Sequence, residues 1–246
     1  MVYRAPVAGR AWFPSSIEGR TVVLRRHVPE NLAAFRRWYA DPEIARLARY
    51  QEGPMRVDEI DRFFQVRALG PDSLAMAIHL RDTNRLIGTC AFSQLDGDNG
   101  SALYHITIGE ADAWGQGYGT EATRLMVGHA FGVLGLHRIS LSVFEFNERA
   151  IRSYATCGFV VEGRSREAIR RDGRWWDEVS MSILEADWKR QRDGRGSAAP
   201  DERGSAPGPA AGRAVAGGPA APGRAAAGPA AAEAPRRGLA TRILGR

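Results

Sequence analysis

From Trp114 to Thr120 the chain runs Trp114-Gly115-Gln116-Gly117-Tyr118-Gly119-Thr120, with three glycines inside five positions. Glycine tolerates φ > 0 and carries no Cβ, so such a backbone can turn tightly and approach a ligand closely. An apolar-periodic run follows at once: Tyr118, Ala122, Leu125, Met126, Ala130, Val133 and Leu134 share one broad face of a helix. A glycine loop that opens a helix presents free N–H groups and the positive end of the helix dipole, and both favour phosphate. The stretch is therefore either a pyrophosphate cradle or an ordinary strand-to-helix turn. Two familiar phosphate loops do not fit. A dinucleotide fingerprint spaces its glycines G-x-G-x-x-G and places an acid about 20 residues further on. This chain has G-x-G-x-G, with Arg138 and Ile139 near that distance. A P-loop needs Gly-Lys-Ser/Thr, and the only lysine here is Lys189. The candidate ligand is a different nucleotide-bearing cofactor.

The elements around this loop can be read from periodicity. Thr21–Arg26 is a strand. Pro29–Asn31 opens a helix that buries Leu32, Phe35, Trp38 and Tyr39; Asp41-Pro42 breaks it, and Pro42–Leu47 makes a short second helix. Val57–Leu69 is amphipathic, with Ile60, Phe63, Phe64 and Val66 inward, and ends at Gly70-Pro71-Asp72. Strands follow at Ser73–Leu80, Leu86–Leu95 and Ala102–Ile108, the last two joined by a hairpin turn at Asp96–Gly100. Beyond the glycine loop and its helix come a strand at Arg138–Phe144, a helix at Glu148–Thr156 and strands at Phe159–Arg164 and Trp175–Leu184. The strand, loop, helix and strand from 102 to 144 imply a parallel pair with a right-handed crossover. Antiparallel hairpins stand on either side of it. The expected fold is a mixed α/β sheet with helices on both faces. A ligand should sit at the carboxyl ends of the parallel strands, where the glycine loop falls.

Composition divides the 246 residues. Residues 1–19 read as a loose arm and 20–188 as one domain with room for a good core. No Phe, Trp or Tyr follows Trp188, and residues 189–246 are mostly Ala, Gly, Pro and Arg. Such a stretch buries too little apolar surface to offset chain entropy and is expected to be disordered. The net charge of +6 belongs to that tail: 11 basic and 4 acidic residues lie from Lys189 on, 23 and 24 before it. A near-neutral domain gives no electrostatic case for nucleic acid, which at most meets the basic tail. Cys90 and Cys157, the only cysteines, suggest neither a disulfide framework nor a zinc site, and no metal is expected. No apolar run approaches a membrane span, and residues 1–10 lack the apolar core of a signal peptide. The expectation is a soluble cytoplasmic protein.

Two motifs resemble the GNAT N-acetyltransferases, and within them the ribosomal-protein-alanine N-acetyltransferase branch. The first is Trp114–Ala122, in which Trp114 replaces the Gln or Arg that leads the general family cradle; the backbone donors remain. The second is Asn147–Tyr154, closing in Cys157-Gly158-Phe159, and a weaker match is the hairpin Asp172–Glu178 with Met181. The resemblance spans about residues 20–188. It implies a mixed, largely antiparallel sheet with one splayed parallel pair, and acetyl-coenzyme A as co-substrate. The Trp114, Gly115, Gln116, Gly117, Tyr118, Gly119 and Thr120 stretch would hold the pyrophosphate. Exposed backbone at Ile106 and Ile108, together with Asn147, would hold the pantetheine arm. A backbone N–H near Ile108 would stabilise the carbonyl oxygen.

The resemblance also makes Tyr154 the candidate acid for the departing thiolate, against the alternative of a core tyrosine. The base is open. Glu110, just past the strand, is a candidate that would act through water, and His105 is a substitute. The amine acceptor implied is a protein N-terminal amine; polyamines and aminoglycosides are alternatives, as is a non-catalytic acetyl-CoA sensor. A homodimer is compatible with the resemblance.

Overall fold

A computed structural model describes residues 14–71 and 73–196, the side chains of 194–196 excepted. Eight strands form one sheet: β1 (Ser16–Glu18), β2 (Val22–Arg26), β3 (Ala75–Leu80), β4 (Leu86–Asp96), β5 (Ser101–Ile108), β6 (Arg138–Phe144), β7 (Val160–Arg171) and β8 (Arg174–Leu184). Their order across the sheet is β1-β2-β3-β4-β5-β6-β8-β7. Every pairing is antiparallel except β5 with β6. The helices are α1 (Leu32–Tyr39), α2 (Pro42–Ala48), α3 (Val57–Arg67), α4 (Tyr118–Gly132), α5 (Glu148–Cys157) and α6 (Glu185–Gly196). No helix among the described residues is long and apolar enough to cross a membrane.

Alternation along the strands decides which face each helix covers. Leu24, Ile78, Cys90, Tyr104, Ile139, Leu141, Val179 and Met181 build the main core, with Ala122, Met126 and Ala130 of α4 and Tyr154 and Cys157 of α5 packed into it. On the other face, Phe35 and Trp38 of α1 pack with Ile60 and Phe64 of α3. Past β5 the second face changes character. Ser142 and Ser180 form one rung of the β6–β8 ladder and Phe144 and Glu178 the next. All four lie out of phase with Leu141, Val143, Val179 and Met181, which are buried in the main core.

The parallel pair is short. Ser101, Ala102 and Leu103 pair with Arg138, Ile139 and Ser140, and the pairing stops there, although both strands run on to Ile108 and Phe144. The strands therefore part toward their carboxyl ends, as the resemblance implies.

Two expected boundaries shift outward. The arm was to reach residue 19, but Ser16–Glu18 pairs with β2, Ile17 opposite Leu24. The tail was to begin at 189, but α6 carries the chain on to Gly196. Trp188 anchors that helix against Phe131, with ring centroids 5.8 Å apart. Lys189 pairs with Glu185 at 2.7 Å along the helix. The remainder of the expected arm and tail lies outside the described residues.

Candidate active site

The glycine loop lies between the end of β5 and the start of α4. Gly117 is the N-cap of α4, with φ of 83°, and no side chain caps the helix there. Gly115 is also left-handed, with φ of 74°. A Cβ at either position would meet nothing within 4 Å, so the glycines answer to backbone conformation and leave open space outside the loop. The first four N–H groups of a helix have no partner within it, and here they face that space without a capping oxygen. The one acid of the first turn is directed elsewhere: Glu121 accepts from the Thr21 N–H at 2.8 Å and from its hydroxyl. Thr120 and Ser153 share a hydrogen bond of 2.7 Å, which fastens the first turn of α4 to α5 and leaves Thr120 its backbone for a ligand.

The parted strands supply the next set of groups. Gly109 N–H donates to the Ile87 carbonyl at 2.9 Å. Backbone groups alternate sides along a strand, so Thr107 and His105 also face β4, while Ile108, Ile106 and Tyr104 face β6. Since β6 has moved away, the Ile106 and Ile108 N–H groups point into the gap. The Ile108 carbonyl is occupied by the Trp114 indole N–H at 2.7 Å. Trp114 thus ties the loop to the strand, and the Arg149 guanidinium lies over its ring at 4.3 Å.

Helix α5 closes the other side. Asn147 is its N-cap, the side-chain oxygen accepting from the Ala150 N–H at 3.3 Å. The capping role of Asn147 is met, and its amide N–H₂ is still available. Tyr154, two turns on, is buried against Phe159. Burial and the neighbouring Cys157 push its hydroxyl well above the ordinary tyrosine range. Among the described residues no hydrogen-bond partner stands at that hydroxyl.

The two candidate bases sit in structural bonds. Glu110 accepts from Trp38 Nε1 at 2.8 Å and from Arg37 Nη2 at 2.9 Å, both on Oε1. It thereby fixes α1 to the end of β5. His105 Nε2 is 2.6 Å from Ser93 Oγ. Its side chain leaves the sheet on the face away from Tyr154, and burial, with Arg67 nearby, lowers its pKa to about 4.

A family model described as an acetyltransferase (GNAT) domain matches residues 21–160. The chain belongs to the GNAT acetyltransferase family. Among its relatives is an uncharacterised N-acetyltransferase, p20, of Bacillus licheniformis, 25% identical over 169 residues that cover 68% of this chain and 94% of that one. A spermidine N(1)-acetyltransferase of Vibrio cholerae is 32% identical over 101 residues, 41% of this chain and 58% of that one. A crystal structure of spermidine N-acetyltransferase from Vibrio cholerae in complex with CoA and spermine aligns at TM-score 0.60 and 24% identity, covering 69% of this chain and 98% of that one. The chain is an N-acetyltransferase of the GNAT type, a family that uses acetyl-CoA. Its open glycine cradle, uncapped α4 and parted β5 and β6 suit a pyrophosphate followed by an amide-bearing arm.

This acetyltransferase also holds a pair that the sequence reading left without a role. Glu178 of β8 is 7% exposed and accepts a hydrogen bond from the Tyr50 hydroxyl. Burial raises its pKa above the ordinary carboxylate value. The segment carrying Tyr50 is held by Arg171, whose Nη2 donates to the carbonyls of Arg49 and Gln51. No spacing signal could have found the pair, because its members are 128 positions apart. The available sign was an acid at an inward position of a strand.

Proposed function

We propose that this acetyltransferase moves the acetyl group of acetyl-CoA onto a primary amine, with Tyr154 as the general acid. Acetyl-CoA supplies the thioester, and the chain supplies binding, orientation and proton transfer. The N–H groups from Gln116 to Thr120 hold the pyrophosphate at the positive end of α4. The Ile106 N–H and the Asn147 amide pair with the arm. The Ile108 N–H donates to the carbonyl oxygen as charge gathers there, a role worth several kcal/mol in comparable sites. Tyr154 gives its proton to the sulfur as the C–S bond breaks, while the amine forms the new C–N bond and sheds a proton to water. Glu110 is at most a relay in that last transfer, since its Oε1 already carries two donors.

The observation that carries this reading is the Tyr154 hydroxyl, which has no hydrogen-bond partner among the described residues and stands on the helix that Ser153 fastens to the uncapped first turn of α4. A phenol kept protonated by burial can donate only to a base that arrives, and a thiolate is such a base. The test is Tyr154→Phe. Coenzyme A affinity and melting temperature should change little, while kcat in a thiol-release assay should fall by about 10²–10⁴. An unaltered kcat would remove Tyr154 from the mechanism.

For the acceptor, the motif Trp114–Ala122 supports a protein N-terminal amine, as in the ribosomal-protein-alanine branch. A second reading, a small polyamine, is favoured by the buried carboxylate of Glu178.

A further inference from the structure

We propose that Glu178 is a specificity residue that holds a second cationic nitrogen of the acceptor, which makes the preferred acceptor a polyamine. The inference rests on the N-acetyltransferase reading above and extends it to the acceptor.

Four observations converge. First, Glu178 is nine-tenths buried, and its partner is the neutral Tyr50 hydroxyl. Among the described residues no arginine, lysine or histidine forms an ion pair with it. A buried carboxylate without a cation is costly to ionise, and an ammonium ion is what would relieve that cost. Second, the groups facing it are uncharged. On its own strand Ser180 is the next residue on the same face; on β6 it pairs with Phe144 and on β7 with Ser165. Tyr50 covers the carboxylate from the segment after α2.

Third, the surrounding wall is aromatic. Tyr50 lies against Phe144 at 5.2 Å, Phe144 against Phe146 at 5.4 Å and Phe146 against Trp176 at 5.1 Å. Aromatic faces attract cations. Two of these faces already carry a guanidinium, Arg46 over Phe146 at 4.6 Å and Arg174 over Trp176 at 3.4 Å, and Arg171 holds the carbonyls of Arg49 and Gln51; none of the three pairs with Glu178.

Fourth, the register puts Glu178 level with the reacting end of the site. Continuing the β5–β6 register from Leu103↔Ser140 brings Thr107 level with Phe144, which pairs with Glu178. Ile108 and Glu178 are therefore at similar heights with β6 between them. Two strand spacings set their separation at about 10 Å or more. An amine reacting near Ile108 is thus one end of a flexible chain whose other charged nitrogen reaches Glu178 past the Phe144 ring, with the short Ser142 and Ser180 side chains on the rung below.

The experiment is calorimetric titration of spermidine, with n-butylamine as the single-charge control, into the full chain saturated with coenzyme A, for wild type and Glu178→Gln. The amide keeps the shape and the acceptor for Tyr50 but removes the charge. Wild type should bind spermidine more tightly than n-butylamine, and Glu178→Gln should lose about tenfold or more for spermidine alone. Its melting temperature should hold or rise, because an isolated buried charge has been removed. Equal spermidine binding by wild type and Glu178→Gln overturns the proposal. So does wild-type binding of spermidine no tighter than of n-butylamine. Should Glu178→Gln fail to fold, Tyr50→Phe, which keeps the ring and removes only the hydroxyl bonded to the carboxylate, must leave the spermidine preference standing; its loss there also overturns the proposal. Turnover is read separately by thiol release. Absence of turnover with every amine would count against the N-acetyltransferase reading, while the binding difference would still decide the role of Glu178.

Discussion

The residues of the cradle divide into those that must be small and those that must bond. Gly117 must be small for the sake of its own backbone: at φ of 83° a Cβ is strained although nothing crowds it. Gly117→Ala would therefore test conformation, and Gly117→Asp conformation plus charge. The aspartate should weaken coenzyme A binding by tenfold or more, about 1.4 kcal/mol, by calorimetry on a folded variant. Unchanged affinity would mean that the pyrophosphate binds elsewhere. Gly109 is small for the opposite reason. A Cβ there would fall 2.1 Å from Trp38 Cδ2, inside the ring that Glu110 holds in place. Gly109→Ala is expected to cost about 1–3 kcal/mol through overpacking, seen as a lower denaturant midpoint. An unshifted midpoint would show that α1 can move away from β5.

At the scale of elements, the sequence was informative where one face was apolar and the other polar. β6 begins and ends where alternation of Ile139, Leu141 and Val143 says it should, at Arg138 and Phe144. α4 starts at Tyr118, directly after the glycines that end the preceding loop. β7 was less legible. Its residues from Val160 to Ala168 are all exposed, so no alternation marks them, and the strand is defined by its pairing with β8. It was expected to stop at Arg164 and runs to Arg171. The same logic hid α6, whose single aromatic anchor is followed by a polar stretch. Around the candidate site, the local structure that comes from one segment was legible: the glycine turn that opens α4 and the helix from Asn147 that carries Tyr154. Contacts assembled across the fold were not. Tyr50 meets Glu178, and Trp38 meets Glu110, only because segments from the first third of the chain fold over the sheet and strand ends contributed by the rest.

Across the whole molecule, pH acts through histidines kept neutral by burial. His27 is bonded to Asn31 at 3.2 Å and Thr89 at 2.9 Å, with the rings of Phe35 and Phe64 edge-on to it. Burial lowers its pKa to about 4, and His105 is lowered likewise. Each binds its proton more readily when unfolded than when folded. Their stability contribution is therefore complete above pH 6.5 and lost as pH falls toward 4. His27 alone should remove about 2 kcal/mol of stability between pH 7 and pH 5. Urea unfolding at the two pH values measures it, and His27→Gln should flatten the difference. An unchanged slope in that variant would assign the acid sensitivity to other groups.

Lysine is nearly missing from this catalyst. The chain carries 34 basic residues, of which one is a lysine, and that one is engaged with Glu185 on α6. Guanidinium groups stay protonated at any pH the enzyme would meet and do not attack thioesters. A protein that keeps an activated acetyl group at its surface has in this way almost no side-chain amine of its own to spend it on. Arginine in place of lysine makes the scaffold chemically indifferent to the bond that it is built to break.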